Sequence, residues 1–241
     1  MTLPTGLEMT VFDEVFRNRP HERFDALRAA DPVHDDKVLG RVLLTRAADV
    51  AAVLKDRSLS VDQRNAAPDT IVQRLATMQD REAPRSMLVL DDPDHARLRR
   101  LVTHAFNARA IEAVKPKVVE VADALLDAVA GKDRFDIIEE FSSPLPIIVI
   151  ATMLGVDAAD VGDFQRWSKA LANVFSPIRS PEFLAALKAN ADELSAYFER
   201  AIAERRAAPR DDLISALVAV DDGGDRLTTE EIVTMCNLLL L

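Results

Sequence analysis

Asp91-Asp92-Pro93-Asp94-His95-Ala96-Arg97-Leu98-Arg99-Arg100 reads as a helix that begins under strong local instruction. The Asp92 carboxylate can accept from the free N–H groups of the first turn. Pro93 suits the first helical position, where no N–H is required. His95 and Arg99 stand four residues apart and point the same way. The first turn of a helix is the positive end of its dipole, so cations placed there gain nothing from the helix itself. An imidazole, a guanidinium and uncovered N–H groups at one helix start make sense as a seat for an anion, and guanidinium suits carboxylate or phosphate. The competing reading is a solvated helix with ordinary surface pairs such as Asp94 with Arg97. The rest of the chain has to decide between them.

That rest is ordinary globular material. The chain has 241 residues, 49% hydrophobic and 29% charged, enough for one large core and one domain over 1–241. Scarce glycine and abundant alanine, leucine and charged residues favour helices. The formal charge of −10 argues against a nucleic-acid partner, since phosphate binding wants a basic surface. A single cysteine, Cys236, excludes an intramolecular disulfide and the cysteine pairs of common zinc sites, and suggests a reducing, cytoplasmic setting. Met1-Thr2-Leu3-Pro4 lacks the basic and apolar regions of a signal peptide. The apolar stretch from Pro144 to Val156 is too short to span a bilayer and reads as a buried helix, so no membrane partner is expected.

Outward from the opening stretch, the pattern is mainly helical with a small sheet. Pro20 to Ala30 is a short amphipathic helix with Phe24, Leu27 and Ala30 on one side. Val38 to Thr45 suggests a hairpin with Gly40 in its turn. Asp49 to Leu54 predicts a helix with Val50, Val53 and Leu54 inward. A long irregular connection from Ser58 to Leu90, with a helical turn or two at Ile71 to Met78, ends in the apolar run Met87-Leu88-Val89-Leu90, read as a buried strand-like segment or a pocket wall.

Beyond the seat, Asn107 can cap the next segment. Pro116 predicts a helix start, with Val119, Ala122, Leu125, Leu126 and Val129 as its stripe and Gly131 as its stop. Phe135 to Ile138 reads as a strand, and Ser143-Pro144 to Gly155 as the buried helix. Asp160 to Phe175 is amphipathic and carries Trp167. Ser180-Pro181 opens a long helix with Phe183, Leu184, Leu187, Leu194, Phe198 and Ile202 at helical spacing. Asp211 caps a shorter helix. Thr228-Thr229-Glu230-Glu231 is a capping box, with Thr228 as cap. The helix it starts runs through Met235 and Cys236 into Leu238-Leu239-Leu240-Leu241, which predicts burial on every side and continuation beyond Leu241.

The order of these signals resembles the soluble bacterial class of cytochrome P450. The resemblance rests on Pro32-Val33-His34, on Leu44 to Val50, on Asp91 to Arg100 continuing to Phe106, on Leu154-Gly155-Val156, on Asp211 to Ser215 and on Leu227 to Ile232. It is most specific at Asp-Pro-Asp-His-x-x-x-Arg and at the final capping box.

The resemblance implies a cytochrome P450 fold cut within its central long helix. It makes His95 and Arg99 ligands of the propionates of haem b, and places the haem-ligating cysteine outside this stretch. Cys236 lies in the central helix and reads as a small buried hydrophobe. By the resemblance, no catalytic or metal-ligating residue falls in this stretch. The complete enzyme would be a haem-thiolate monooxygenase using O₂ on a small apolar organic substrate of unspecified identity.

Leu88, Leu238 and Leu241 are candidate pocket residues, with Phe175 a candidate lid. Arg97, Arg100, Arg109, Lys115 and Lys117 form a basic cluster in the sequence, and the resemblance assigns it to an acidic ferredoxin or flavin reductase partner. The alternative is an all-α binding or regulatory protein without enzymatic activity. A zinc hydrolase or phosphate-loop enzyme is disfavoured, since His-Glu-x-x-His, Gly-x-Ser-x-Gly and a phosphate loop are missing.

Overall fold

Apolar residues recurring three and four apart set the helices, and a turn built on Gly40 sets the small sheet. A computed structural model describes residues 3–68, 70, 73, 85–106, 108–172 and 180–240, except the side chains of 108–110, 172 and 181. Most of Ile71 to Met78, together with Asn107, Phe175 and Leu241, lies outside the described residues. Contacts group the chain into two compact units: Met1–Ala83 with Leu88–Asp91, and Pro84–Met87 with Asp92–Leu241.

The first unit contains α1 (Glu14–Asn18), α2 (Pro20–Ala30), β1 (Val33–Asp36), β2 (Arg41–Leu44) and α3 (Ala47–Lys55). β1 and β2 pair antiparallel, Val33 opposite Leu44 and Asp36 opposite Arg41. The first strand therefore lies earlier than the hairpin expected at Val38, because residues 37–40 all serve the turn and Gly40 takes φ +60°.

Asp36 is wholly buried and organises that turn. It accepts from Thr5 Oγ1 at 2.9 Å, from the Gly6 N–H at 3.0 Å and from Arg41 Nε at 3.0 Å. Leu27 is buried on α2 as expected, whereas Ala30 is exposed. The expected inward face of α3 is corrected: Val50, Val53 and Leu54 are all exposed, Leu54 at 80%. Apolar spacing gives an amphipathic helix but not what covers it.

The second unit is helical: α4 (Asp94–Ala105), α5 (Ala108–Val129), α6 (Pro144–Leu154), α7 (Val161–Ala172), α8 (Pro181–Ala207), α9 (Leu213–Ala219) and α10 (Thr229–Leu238). α8 is the spine, packing on α7, α9 and α10, while α4 packs on α9. Leu194, Phe198 and Ile202 on α8 are fully buried, and Phe198 meets Phe164 of α7 edge to face at 6.2 Å.

Several expectations for this unit are corrected by the structure. Pro116 lies inside α5 rather than at its start. The missing N–H removes one i to i−4 bond, and the helical pattern on both sides carries the chain through. The buried side of α5 is marked by Val121 and Val129, and Val119 and Leu126 are exposed. Phe135 to Ile138 is not a strand: Asp136 accepts from the N–H groups of Ile138 at 2.9 Å and Glu139 at 3.1 Å and starts a π-helical turn, Ile138–Ser142.

The cap of α9 is Asp212, one residue after the expected Asp211, and it accepts from the Ser215 N–H at 2.7 Å. The other oxygen of Asp212 receives Arg205 Nε at 2.9 Å, and both side chains are only 3% exposed. Arg205 also donates to the Gly155 carbonyl at 2.6 Å. Gly155 ends α6 with φ +72°, and a Cβ there would fall 2.2 Å from Asp212 Oδ2. Three helices are thus locked at one buried point by a glycine, an arginine and a carboxylate.

Candidate functional site

α4 carries His95 and Arg99, and its start differs from the one expected from the sequence. Its first helical residue is Asp94 and Pro93 occupies the cap position, with no side-chain capping bond. Asp92 therefore does not cap. It lies instead 3.5 Å from His95 Nδ1 through Oδ1. The difference follows from Pro93, which sits in the helical region of the backbone and displaces the cap by one residue.

Leu98, Leu101, Val102 and Ala105 form the buried stripe of α4. At about 100° per residue, His95 and Arg99 fall on one flank of that stripe and Arg97 and Arg100 on the other. The flanks differ in charge balance. Arg97 donates from Nε to Asp225 Oδ1 at 2.9 Å, from Nη1 to Glu231 Oε1 at 2.6 Å and from Nη2 to the Arg226 carbonyl at 2.9 Å. Arg100 meets Asp222 at 2.8 Å and Asp225 at 3.1 Å. The hydrogen bond to Glu231 and then that to Asp225 raise the proton affinity of Arg97, against its partial burial.

On the other flank Arg99 is exposed, and its guanidinium has no partner among the described residues. The His95 ring is about one-third exposed, at 35%. Nδ1 faces Asp92, which leaves Nε2 as the nitrogen not engaged by that carboxylate. One imidazole, one unpaired guanidinium and the N-terminal turn of α4 thus converge on one flank, an arrangement that can receive a dianion or two carboxylate arms.

The other sequence candidates are distributed as follows. Leu88 is in a 3₁₀ turn, Met87–Val89, rather than a strand, and is 60% exposed, while Leu90 is buried. Leu238 closes α10 and, with Leu239 and Leu240, is half-buried rather than enclosed on every side. Leu241 and Phe175 lie outside the described residues, as does the side chain of Arg109. Lys115 pairs with Glu112 at 2.6 Å and Lys117 with Glu120 at 2.7 Å along α5. The four described members of the expected basic cluster are therefore each engaged with carboxylates.

Cys236 is fully buried in α10, and burial pushes its thiol up to about 12, so it is a neutral core residue. The carboxylates that hold Arg97 and Arg100 escaped the sequence reading. Their signal was present as an Asp-x-x-Asp turn at 222–225 followed by the acidic start of α10, a charge complement to the Arg97 and Arg100 pair.

The described residues are thus mainly helical with one small hairpin, and carry a cationic flank at the start of a helix that opens with Asp-Pro-Asp-His. No protein-family model matches the sequence. The chain is 34% identical over 249 residues to cytochrome P450 107B1 of Saccharopolyspora erythraea, an alignment covering 100% of this chain and 59% of that protein. It is 37% identical over 244 residues to the vitamin D(3) 25-hydroxylase of Pseudonocardia autotrophica, covering 98% of this chain and 57% of that protein. It superposes on substrate-free CYP109E1 from Bacillus megaterium with a TM-score of 0.79 at 34% identity, over 93% of this chain and 57% of that one. The chain belongs to the bacterial cytochrome P450 family and spans a little over half the length of these relatives.

Proposed function

We propose that the chain is part of the catalytic domain of a haem-thiolate monooxygenase, that residues 1–241 belong to one such domain, and that His95 and Arg99 hold the propionates of haem b. The observation that carries this reading is the selective freedom of Arg99. Three carboxylates neutralise Arg97 and Arg100, while Arg99, on the same helix, has none among the described residues. A haem brings two carboxylates on flexible arms, which match one imidazole and one guanidinium a helical turn apart.

When bound, a thiolate-ligated haem supplies O₂ binding and O–O cleavage. The overall change takes an apolar C–H compound, O₂, two electrons and two protons to an alcohol and water. The residues of this chain anchor and orient. Arg99 offers a planar fork to one carboxylate, and His95 offers Nε2 to another. Asp92 beside Nδ1 favours that ring orientation.

Leu238, half-buried at the end of α10, is proposed to line an apolar pocket and to keep water from it. The name of the vitamin D(3) 25-hydroxylase relative supports an apolar organic substrate. Electrons are proposed to come from a ferredoxin or flavin reductase partner. Lys115 and Lys117 are the described docking candidates that remain, with Arg109: their pairs with Glu112 and Glu120 are exposed neighbours on one helix and easily exchanged, whereas Arg97 and Arg100 are committed to Asp222, Asp225 and Glu231. Among the described residues no helix is long and apolar enough to cross a membrane. A cytoplasmic site of action is proposed with the family and the single cysteine.

The test is the absorption spectrum of the reduced, CO-bound full-length protein. A Soret band at the long wavelength of thiolate ligation is expected. A band at the position of histidine-ligated haem, or no haem at all, would refute the reading.

A further inference from the structure

Arg97 bridges α4 to the beginning of α10. Its Nε, Nη1 and Nη2 groups each have an acceptor: Asp225, Glu231 and the Arg226 carbonyl. Asp225 is shared with Arg100 through its other oxygen, at 3.1 Å. The turn that presents Asp225 is itself fixed, since Asp222 and Asp225 exchange backbone bonds at 3.0 and 3.2 Å. Glu231 has two duties. Oε2 accepts from the Thr228 N–H at 2.8 Å to close the capping box of α10, and Oε1 accepts from Arg97. The side chain of Arg97 is 33% exposed, so a single pair there would be weak. Three acceptors drawn from one rigid turn and one helix start make a network whose members hold one another in place. Only a guanidinium can meet them together, because an ammonium is a point donor on a flexible stem.

We propose that Arg97 is a positioning residue. It clamps α4 to the first turn of α10 through Asp225 and Glu231, and so sets where His95 and Arg99 stand relative to α10. This rests on the proposed role of His95 and Arg99 as haem-propionate ligands. The clamp also has an electrostatic consequence. With Arg97 and Arg100 opposed by three carboxylates, the attraction for a ligand's anionic arms is confined to the His95 and Arg99 flank.

The test uses the full-length protein as isolated with its cofactor, in five forms besides wild type: Arg97→Gln, Arg97→Lys, Glu231→Gln, the Arg97→Gln/Glu231→Gln double variant and, as a reference, Arg99→Ala. Glutamine at position 231 can still close the capping box, so Glu231→Gln removes the charge pair and keeps the cap. Two quantities are read: amide exchange in α4 and the first turn of α10, and the rate of haem transfer to excess apomyoglobin.

Arg97→Gln is expected to speed both by about tenfold, a charge-assisted hydrogen bond's worth. Arg97→Lys should recover only part of the loss, and the double variant should be less than additive. Wild-type exchange and haem release in Arg97→Gln, or full additivity, would overturn the clamp. Faster exchange with unchanged haem release would overturn its role in placing the seat. Arg99→Ala, run alongside, separates the two failures. If it releases haem quickly while Arg97→Gln does not, the haem reading stands and the clamp falls. If neither variant does, both fall.

Discussion

Arg205 and Arg99 are the same side chain in opposite circumstances. Arg205 is 3% exposed, paired with Asp212 and hydrogen-bonded to the Gly155 carbonyl at the meeting of α6, α8 and α9. Arg99 stands exposed near the start of α4 with no partner among the described residues. A buried guanidinium must be fully satisfied by the fold, since taking its charge out of water is otherwise prohibitive. An exposed one keeps its donors for something else. The contrast separates arginines that build the molecule from those available to a ligand, and Arg97 and Arg100 fall with the builders.

The comparison predicts a graded series of effects in the full-length protein. Arg205→Ala leaves Asp212 buried without compensation and should lower unfolding free energy by about 3–5 kcal/mol, read as a shift in denaturant midpoint. Gly155→Ala should approach that loss, because the new Cβ combines φ +72° with an overlap on Asp212 Oδ2. Thr228→Ala removes the cap of α10 and should cost about 1 kcal/mol. Arg99→Ala should change the stability of the haem-free form by less than about 0.5 kcal/mol, as expected for an exposed residue without partners among the described residues. Equal losses from Arg99→Ala and Arg205→Ala would erase the distinction.

A pH-dependent case sharpens it further. Burial by itself would raise the Asp36 carboxyl, but bonds from Arg41, Thr5 and the N–H groups of Gly6 and Leu39 outweigh it and hold the group below its ordinary value of 3.8. A lowered folded value means stability that is complete above about 3.8 and is lost as pH falls through the folded value. Asp36→Asn should therefore flatten the acid limb of the stability curve and leave the limb above pH 5 parallel to wild type. An unchanged acid limb would show that the Asp36 cluster does not hold in solution.

What could be read from the sequence was local. The Thr228 to Glu231 capping box forms as its spacing requires, because both of its bonds join residues three apart. The juxtaposition of His95 and Arg99 was legible for the same reason, being a property of one helical turn. The acidic turn and helix start at 222–231 were visible, but their pairing with Arg97 was not, since Asp225 and Glu231 are 128 and 134 residues away and only the packed fold brings them near. The same holds for Arg205 with Gly155, 50 residues apart. Periodicity also misplaced the covered face of α3 and only partly placed that of α5, where Val129 is buried as expected but Val119 and Leu126 are exposed, because it gives the existence of an apolar side but not the element laid against it. Helix limits slipped where a proline shifted a cap, as at Pro93, or was absorbed, as at Pro116.

The most direct measurement is the haem content of the full-length His95→Ala/Arg99→Ala protein after gel filtration, set beside wild type and a surface control, Arg57→Ala. Wild type and the control should retain stoichiometric haem, and the double variant should lose most of it while remaining folded by circular dichroism. Stoichiometric haem in the double variant would contradict the role assigned to the open flank of α4.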